Sequence, residues 1–276
     1  MPKISLRETV KRLSDVGIDS AKEEARIIFE SLGGFRSYEL IGGNAETDSE
    51  RVLDAIKRRE AREPLQYVIG EVEFFREYYK VTPDVLIPRA DTEILVEYAV
   101  KNLPEGARFL DLCTGSGAVA VSTLKNTKGT KAIATDIHPA TVEVAKENAE
   151  RNGVIDRIEF LIEDALGKPS EKILSFKPYA LLSNPPYVCD GVYETLEKEI
   201  FFEPKRAFVG GEDGANFYRA ITENYRSVIA PDGFIAYEIG YDQAELVSNI
   251  AENSKMNCEI YRDLSGNPRL AVLKNR

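Results

Sequence analysis

A doubly wound α/β sheet preceded by a small all-α domain is the fold class this 276-residue sequence predicts, on three observations. Beyond Thr92, short apolar runs alternate with segments of helical period, as in a mostly parallel sheet covered by helices on both faces. Up to Arg62 the apolar residues recur only at helical spacing. A glycine-rich turn at residues 111–117 joins the first strand of the sheet to a helix, the place where open α/β sheets bind their ligands.

Residues 1–63 read as a small helical bundle. Leu6, Val10 and Leu13 share one face, Ala25, Ile28 and Leu32 a second, Val52 and Ile56 a third. Ser5 with Glu8 and Thr47 with Glu50 fit the box that satisfies first-turn N–H groups, and Gly17 and Gly33 stand where glycine closes a helix. Lys57, Arg58, Arg59 and Arg62 make a basic helix end, either a solvated C-terminus complementing the dipole or a docking surface. After Pro64 the chain turns aromatic and β-like through Tyr67-Val68-Ile69-Gly70, Phe74-Phe75 and Tyr78-Tyr79-Lys80-Val81, so residues 64–90 are expected to form a hairpin or extended connector.

Residues 91–276 carry the sheet. A helix through Val96 and Val100 leads to a strand over 108–112, a helix from Ala118, and a strand over 131–136. A helix through Val142, Ala145 and Ala149 follows, then a strand over 158–161 and the run Tyr179-Ala180-Leu181-Leu182. The last strands, over 233–238 and 269–273, are separated by one helix around Leu246 and a turn at Gly266-Asn267-Pro268, which leaves room to insert an antiparallel strand.

A net charge of −10 disfavours a phosphate backbone as main partner, because such binding rests on Lys and Arg. Cys113, Cys189 and Cys258 are odd in number and widely spaced, which fits neither a disulfide framework nor a zinc knuckle and suggests a reducing cytoplasm. The start, Met1-Pro2-Lys3-Ile4-Ser5-Leu6-Arg7, has no apolar leader core, and no run approaches the roughly eighteen apolar residues of a membrane span. His138 is the sole histidine, so no His-pair metal site is expected, and its place before Pro139 in a loop argues against a catalytic role.

Two motifs carry chemistry. Asp111-Leu112-Cys113-Thr114-Gly115-Ser116-Gly117, with Ala120, completes G-x-G-x-x-A, and Asp136 at the end of the next strand is placed to accept from ribose hydroxyls. The loop alone fits a nicotinamide dinucleotide as well as S-adenosylmethionine. Asp111 beside it suits an ammonium group better than a pyrophosphate. Asp164, followed by Ala165, can accept from an adenine amino group or cap a helix. The second motif, Asn184-Pro185-Pro186-Tyr187, stands at the end of the fourth strand, across the same sheet edge. Its prolines fix φ and donate no N–H, which leaves main-chain carbonyls free to accept beside the Asn amide and the Tyr ring.

With these residues in view, the chain resembles the class I S-adenosylmethionine-dependent methyltransferases, and within them the HemK or PrmC type that methylates a glutamine side-chain nitrogen in peptide chain release factors. The resemblance extends to Pro64-Leu65-Gln66-Tyr67-Val68-Ile69-Gly70, to Val85-Leu86-Ile87-Pro88-Arg89 with Asp91-Thr92-Glu93, and to Glu203-Pro204, Gly210-Gly211-Glu212-Asp213-Gly214 and Tyr218-Arg219. Cys113 departs from it, standing where the family often has Gly. The resemblance implies a seven-stranded sheet with one antiparallel strand, a substrate-docking role for residues 1–63, and release factors as protein substrate, without nucleic acid or membrane.

It further implies that Asn184, Pro185 and Tyr187 are catalytic, that Pro186 joins them in holding substrate, and that residues 111, 113–117, 136, 164, 165 and 184 hold the cofactor. An amide nitrogen is a poor nucleophile and must be aimed. The Asn184 oxygen and the Pro185 carbonyl can accept its two N–H bonds while Tyr187 packs on the amide plane, positioning worth on the order of 7–11 kcal/mol. Arg89 is expected either to help close the cofactor site or to cap a neighbouring carbonyl. The N-P-P-Y turn is shared with adenine-N6 methyltransferases of DNA and RNA, a rival reading. A non-catalytic nucleoside-binding scaffold and a dinucleotide dehydrogenase are the others.

Overall fold

In the computed structural model, residues 3–276 are described; Met1 and Pro2, the first positions of the start read above, lie outside the described residues. Two units emerge: residues up to 71 together with 197–202, and residues 72–196 together with 203–276.

In the first unit, β1 (Ile4–Ser5) leads into α1 (Leu6–Asp15) and α2 (Ala21–Gly33), then β2 (Glu46–Thr47), α3 (Glu50–Glu60) and the single turn α4 (Leu65–Ile69). β1 and β2 pair antiparallel. Leu6, Leu13, Ala25, Ile28, Val52 and Ile56 form its core with Phe29, as their spacing predicts. Ser5 caps α1 by accepting from the Glu8 N–H at 3.2 Å. Thr47 caps no helix: its hydroxyl accepts from the Ser49 N–H at 3.1 Å, and α3 begins one residue later. The left-handed residue after α2 is Gly34, φ +74°, not Gly33, which still ends the helix. The β-like reading of Tyr67-Val68-Ile69 is corrected too. Pro64 fixes the entry to α4, which buries Tyr67 and Val68, and β structure starts only at Glu71.

Neither sequence reading of the basic helix end describes Arg58, Arg59 and Arg62. Arg59 is 5% exposed and pairs with Glu24 at 2.6 Å and Glu199 at 3.2 Å; Arg58 pairs with Glu63 and Arg62 with Glu199. Three of the four positive charges are therefore neutralised inside the unit, and the 197–202 segment is tied to α3 and its end by two of them.

In the second unit, β3 (Glu71–Phe74) and β4 (Glu77–Lys80) form a hairpin whose two turn residues, Phe75 and Arg76, both have positive φ, as tight hairpin turns require. The main sheet follows: α5 (Glu93–Asn102), β5 (Arg108–Leu112), α6 (Ala118–Lys125), β6 (Lys131–Asp136), α7 (Pro139–Arg151), β7 (Ile158–Ile162), α8 (Glu171–Phe176), β8 (Ala180–Ser183), α9 (Asn216–Tyr225), β9 (Phe234–Glu238), α10 (Ala244–Asn253), β10 (Met256–Arg262) and β11 (Pro268–Asn275). Strand order is β10-β11-β9-β8-β5-β6-β7. Only β11 runs against the rest, paired antiparallel with β9 and β10.

The sheet is filled from both sides by alternation. Phe109, Ala180, Leu182, Phe234, Ala236 and Val272 pack with α5 and α6, whereas Leu110, Leu112, Leu181, Ile235, Tyr237 and Leu273 pack with α9 and α10. Burial on both faces makes these strands read as unbroken apolar runs. It also brings the C-terminal ends of β5, β6, β7, β8 and β9 to one edge.

Candidate active site

That edge opens on a cavity of about 480 Å³ within the second unit. Cys113, Thr114, Gly115 and Ser116 line it from the turn after β5, Asp136 and Ile137 from β6, Asp164, Ala165 and Leu166 from beyond β7, and Asn184 with Pro186 from the corner after β8. The sequence-predicted residues thus meet at one place, with four exceptions. Asp111, Gly117, Pro185 and Tyr187 stand behind the wall.

The glycine loop is held from several sides. The Thr114 N–H donates to the Thr135 carbonyl and the Gly115 N–H to Asp136 Oδ2 at 3.1 Å. Asn148 of α7, fully buried, donates to the Ser116 carbonyl at 2.8 Å while bonding Lys80 of β4 in both directions. Gly117 has φ +81°, and a Cβ there would stand 3.2 Å from that of Ala145. At Gly115 a Cβ would meet nothing within 4 Å, so the backbone faces open space. Cys113 adopts φ +60°, which accounts for glycine's suitability at this position. Burial, with the charges of Asp136 and Asp111, pushes its thiol pKa up and keeps it protonated.

Asp111 is 1% exposed. Its Oδ2 accepts from the Thr114 hydroxyl at 2.6 Å and the Ala120 N–H at 3.1 Å, which braces the loop, while Oδ1 is buried without a partner. Burial pushes this carboxyl up to about 7 against those two hydrogen bonds. An unpaired acceptor beside a glycine loop fits a cationic ammonium group and opposes a pyrophosphate. Asp136 accepts from the N–H groups of Gly115 and His138, and burial raises its pKa. Asp164 does not cap a helix. Its Oδ1 accepts from the Leu166 N–H at 2.9 Å in a turn, and its second oxygen bonds nothing among the described residues. His138 precedes the first residue of α7, outside the cavity lining. Arg89 lines the cavity and pairs with the carboxylate of Glu203, not with a carbonyl; that same carboxylate accepts from the Ile87 N–H at 2.9 Å.

The corner after β8 is built into a buried network that spacing does not reveal. Asn184 Nδ2 donates to the Thr92 hydroxyl at 3.1 Å, and Thr92 donates to Glu238 Oε2 at 2.5 Å. The Tyr187 hydroxyl donates to Glu238 Oε1 at 3.1 Å, so its polar end points into the network. Burial raises the Glu238 pKa, opposed by the two hydroxyls and by Arg269. Gln243 donates to the Tyr187 carbonyl at 2.9 Å, whereas the Pro185 carbonyl accepts no hydrogen bond among the described residues. Thr92, Asn148, Glu238 and Gln243 were missed as site residues. The one available signal was a carboxylate, Glu238, ending a wholly apolar strand.

Two family models match the chain. Residues 5–70 match the PrmC N-terminal domain and residues 90–211 the methyltransferase small domain. A release factor glutamine methyltransferase of Thermodesulfovibrio yellowstonii is 40% identical over 98% of this chain and 96% of its own length. The chain belongs to the release factor glutamine methyltransferase family. A second member, from Moorella thermoacetica, is 34% identical over 99% of this chain and 98% of its own. Among solved structures, the ribosomal protein L11 methylase of Lactobacillus delbrueckii subsp. bulgaricus, 17% identical, superposes with a TM-score of 0.51 over 71% of this chain and 84% of its own, a likeness of fold. Among the described residues no helix is long and apolar enough to cross a membrane.

Proposed function

We propose that this protein transfers a methyl group from S-adenosylmethionine to the side-chain amide nitrogen of the glutamine in the Gly-Gly-Gln motif of peptide chain release factors. The observation that carries the reading is the pairing, at one cavity, of a glycine loop backed by the unpartnered Asp111 oxygen with the Asn184 corner, in a chain whose near full-length relatives bear that name. S-adenosylmethionine supplies an electrophilic methyl when bound. Asp111, from behind the wall, would take its ammonium, Asp136 the ribose hydroxyls and Asp164 the adenine amino group, with Cys113, Thr114, Gly115, Ser116 and Ala165 shaping the walls and Gly117 backing them.

The substrate amide enters beside Asn184. Asn184 Oδ1 and the Pro185 carbonyl, neither of which bonds another group among the described residues, would accept its two N–H bonds, which would aim the nitrogen at the methyl and stabilise the positive charge that grows there. Pro186 walls this position and Tyr187 anchors the turn through Glu238. Residues 1–63 serve as the docking domain, and the protein partner takes the place of nucleic acid, consistent with the −10 charge. A cytoplasmic setting suits the three free thiols.

Mass spectrometry of a release factor incubated with protein and S-adenosylmethionine tests this. One added methyl on the Gly-Gly-Gln glutamine is expected, and none with Asn184→Ala, which keeps cofactor affinity within a few-fold. An unmodified glutamine, or methylated DNA or RNA in parallel reactions, contradicts the reading.

A further inference from the structure

We propose that Glu238 and Thr92 are positioning residues that fix which end of the Asn184 amide faces the substrate. The inference rests on the glutamine-methylation reading. An asparagine amide is two-faced: turned by 180° about its last bond it fills the same space and presents two donors where it had an acceptor. Facing a substrate –NH2, the wrong face opposes donors to donors. Nothing in Asn184 itself selects the right one.

The selection comes from a one-way chain of protons. Glu238, 2% exposed at the end of β9, is a carboxylate and therefore only accepts. Thr92, 4% exposed, has a single hydroxyl proton and gives it to Glu238 Oε2 at 2.5 Å. The Thr92 oxygen is left only as an acceptor toward Asn184, 3.1 Å away, so it takes the Nδ2 end. Oδ1 is thereby turned away from Thr92 and finds no other partner among the described residues, while Asn184 lines the cavity. The second Glu238 oxygen takes the Tyr187 hydroxyl at 3.1 Å, so one carboxylate holds both ends of the Asn-Pro-Pro-Tyr turn. Burial disfavours the charged form of Glu238; the Thr92 and Tyr187 hydroxyls and Arg269 favour it, and Asp91 opposes it.

Replacing the carboxylate by a carboxamide, in Glu238→Gln, reverses the chain. The new amide has one oxygen for two hydroxyls; with that oxygen on Tyr187 its –NH2 donates to Thr92, Thr92 then turns its proton onto Asn184, and Asn184 swings its donors toward the substrate. Loss of the Thr92 hydroxyl removes the selection altogether.

The experiment compares Thr92→Val, Thr92→Ser and Glu238→Gln with the unaltered protein, with release factor as substrate and S-adenosylmethionine affinity measured by calorimetry. Thr92→Val and Glu238→Gln are expected to lower kcat ten- to a hundredfold, with KM for the release factor and cofactor Kd within about threefold. Thr92→Ser, which keeps the hydroxyl, is expected to stay within about threefold of the unaltered kcat. Unaltered turnover in Thr92→Val, or an equal loss in Thr92→Val and Thr92→Ser, overturns the inference. A Thr92→Val protein that fails to bind cofactor leaves the decision to Glu238→Gln, where retained kcat overturns it. If the unaltered protein itself does not methylate, the functional reading fails instead.

Discussion

Cys113 stands at φ +60°, where a side chain costs roughly 1–2 kcal/mol and glycine nothing. Its persistence beside the cofactor loop means the surrounding bonds, Thr114 to Thr135 and Gly115 to Asp136, over-determine the turn. Cys113→Gly is expected to change stability by less than about 1 kcal/mol, whereas β-branched Cys113→Val should lose about 2 kcal/mol or more, read as a shift in urea midpoint. Asp136→Ala acts elsewhere. Loss of the charged acceptor proposed for the ribose hydroxyls, worth about 1.5–3 kcal/mol, should weaken S-adenosylmethionine about ten- to a hundredfold by calorimetry without unfolding the protein.

At the scale of elements, the loop over 210–214 shows why its glycines are needed. A Cβ on Gly210 would stand 2.5 Å from the Pro186 carbonyl oxygen, and one on Gly214 2.2 Å from that of Tyr187, so this loop lies backbone to backbone against the Asn-Pro-Pro-Tyr corner. Gly210→Ala should displace the corner and lower kcat at least tenfold, with cofactor affinity nearly unchanged; single-turnover methylation beside calorimetry checks the split. The motif was legible in the sequence, but its reason was not, because contact between residues 186 and 210 leaves no local pattern. Legibility elsewhere followed burial. β5, β6 and β9 are buried on both faces and were read within a residue of their bounds. β10 was missed because it is an edge strand whose Asn257, Glu259, Tyr261 and Arg262 face solvent, and α9 because its buried stripe of Tyr218, Ile221, Thr222 and Tyr225 is short and includes the polar Thr222. Asn184, Asp136 and Gly115 were legible because each ends a strand at one edge. Thr92 and Glu238 were not, being 146 residues apart and joined only by a buried hydrogen bond.

The whole molecule carries two opposed sets of carboxylates. Burial raises the pKa of Asp111, Asp136, Glu203 and Glu238, so the folded state keeps their protons to higher pH than the unfolded chain does. Their contribution is full below the ordinary carboxylate range and is lost as pH rises, for Asp111 through about 7. Asp213, held down to about 2 by Arg219, and Glu199, held down by Arg62 and Arg59 against its burial, contribute above that range and lose it in acid. The cofactor-free protein should therefore be most stable at mildly acidic pH, about 4 to 6, and lose stability toward pH 8, in urea titrations across that span. An ammonium on Asp111 reverses the trend. S-adenosylmethionine should raise Tm more at pH 8 than at pH 6, and Asp111→Asn should flatten that difference.

The short segment at residues 197–202, counted with the first unit while the chain on either side belongs to the second, bears on descent. The polypeptide passes between the units three times, near residues 71, 196 and 202, and Glu199 takes its partners from Arg59 and Arg62. A front module joined at one seam is free to be exchanged by a single recombination. Here such an exchange would strand Glu199 without its arginines, so the front and the catalytic part are expected to have been inherited together, and changes at position 199 to track changes at positions 59 and 62.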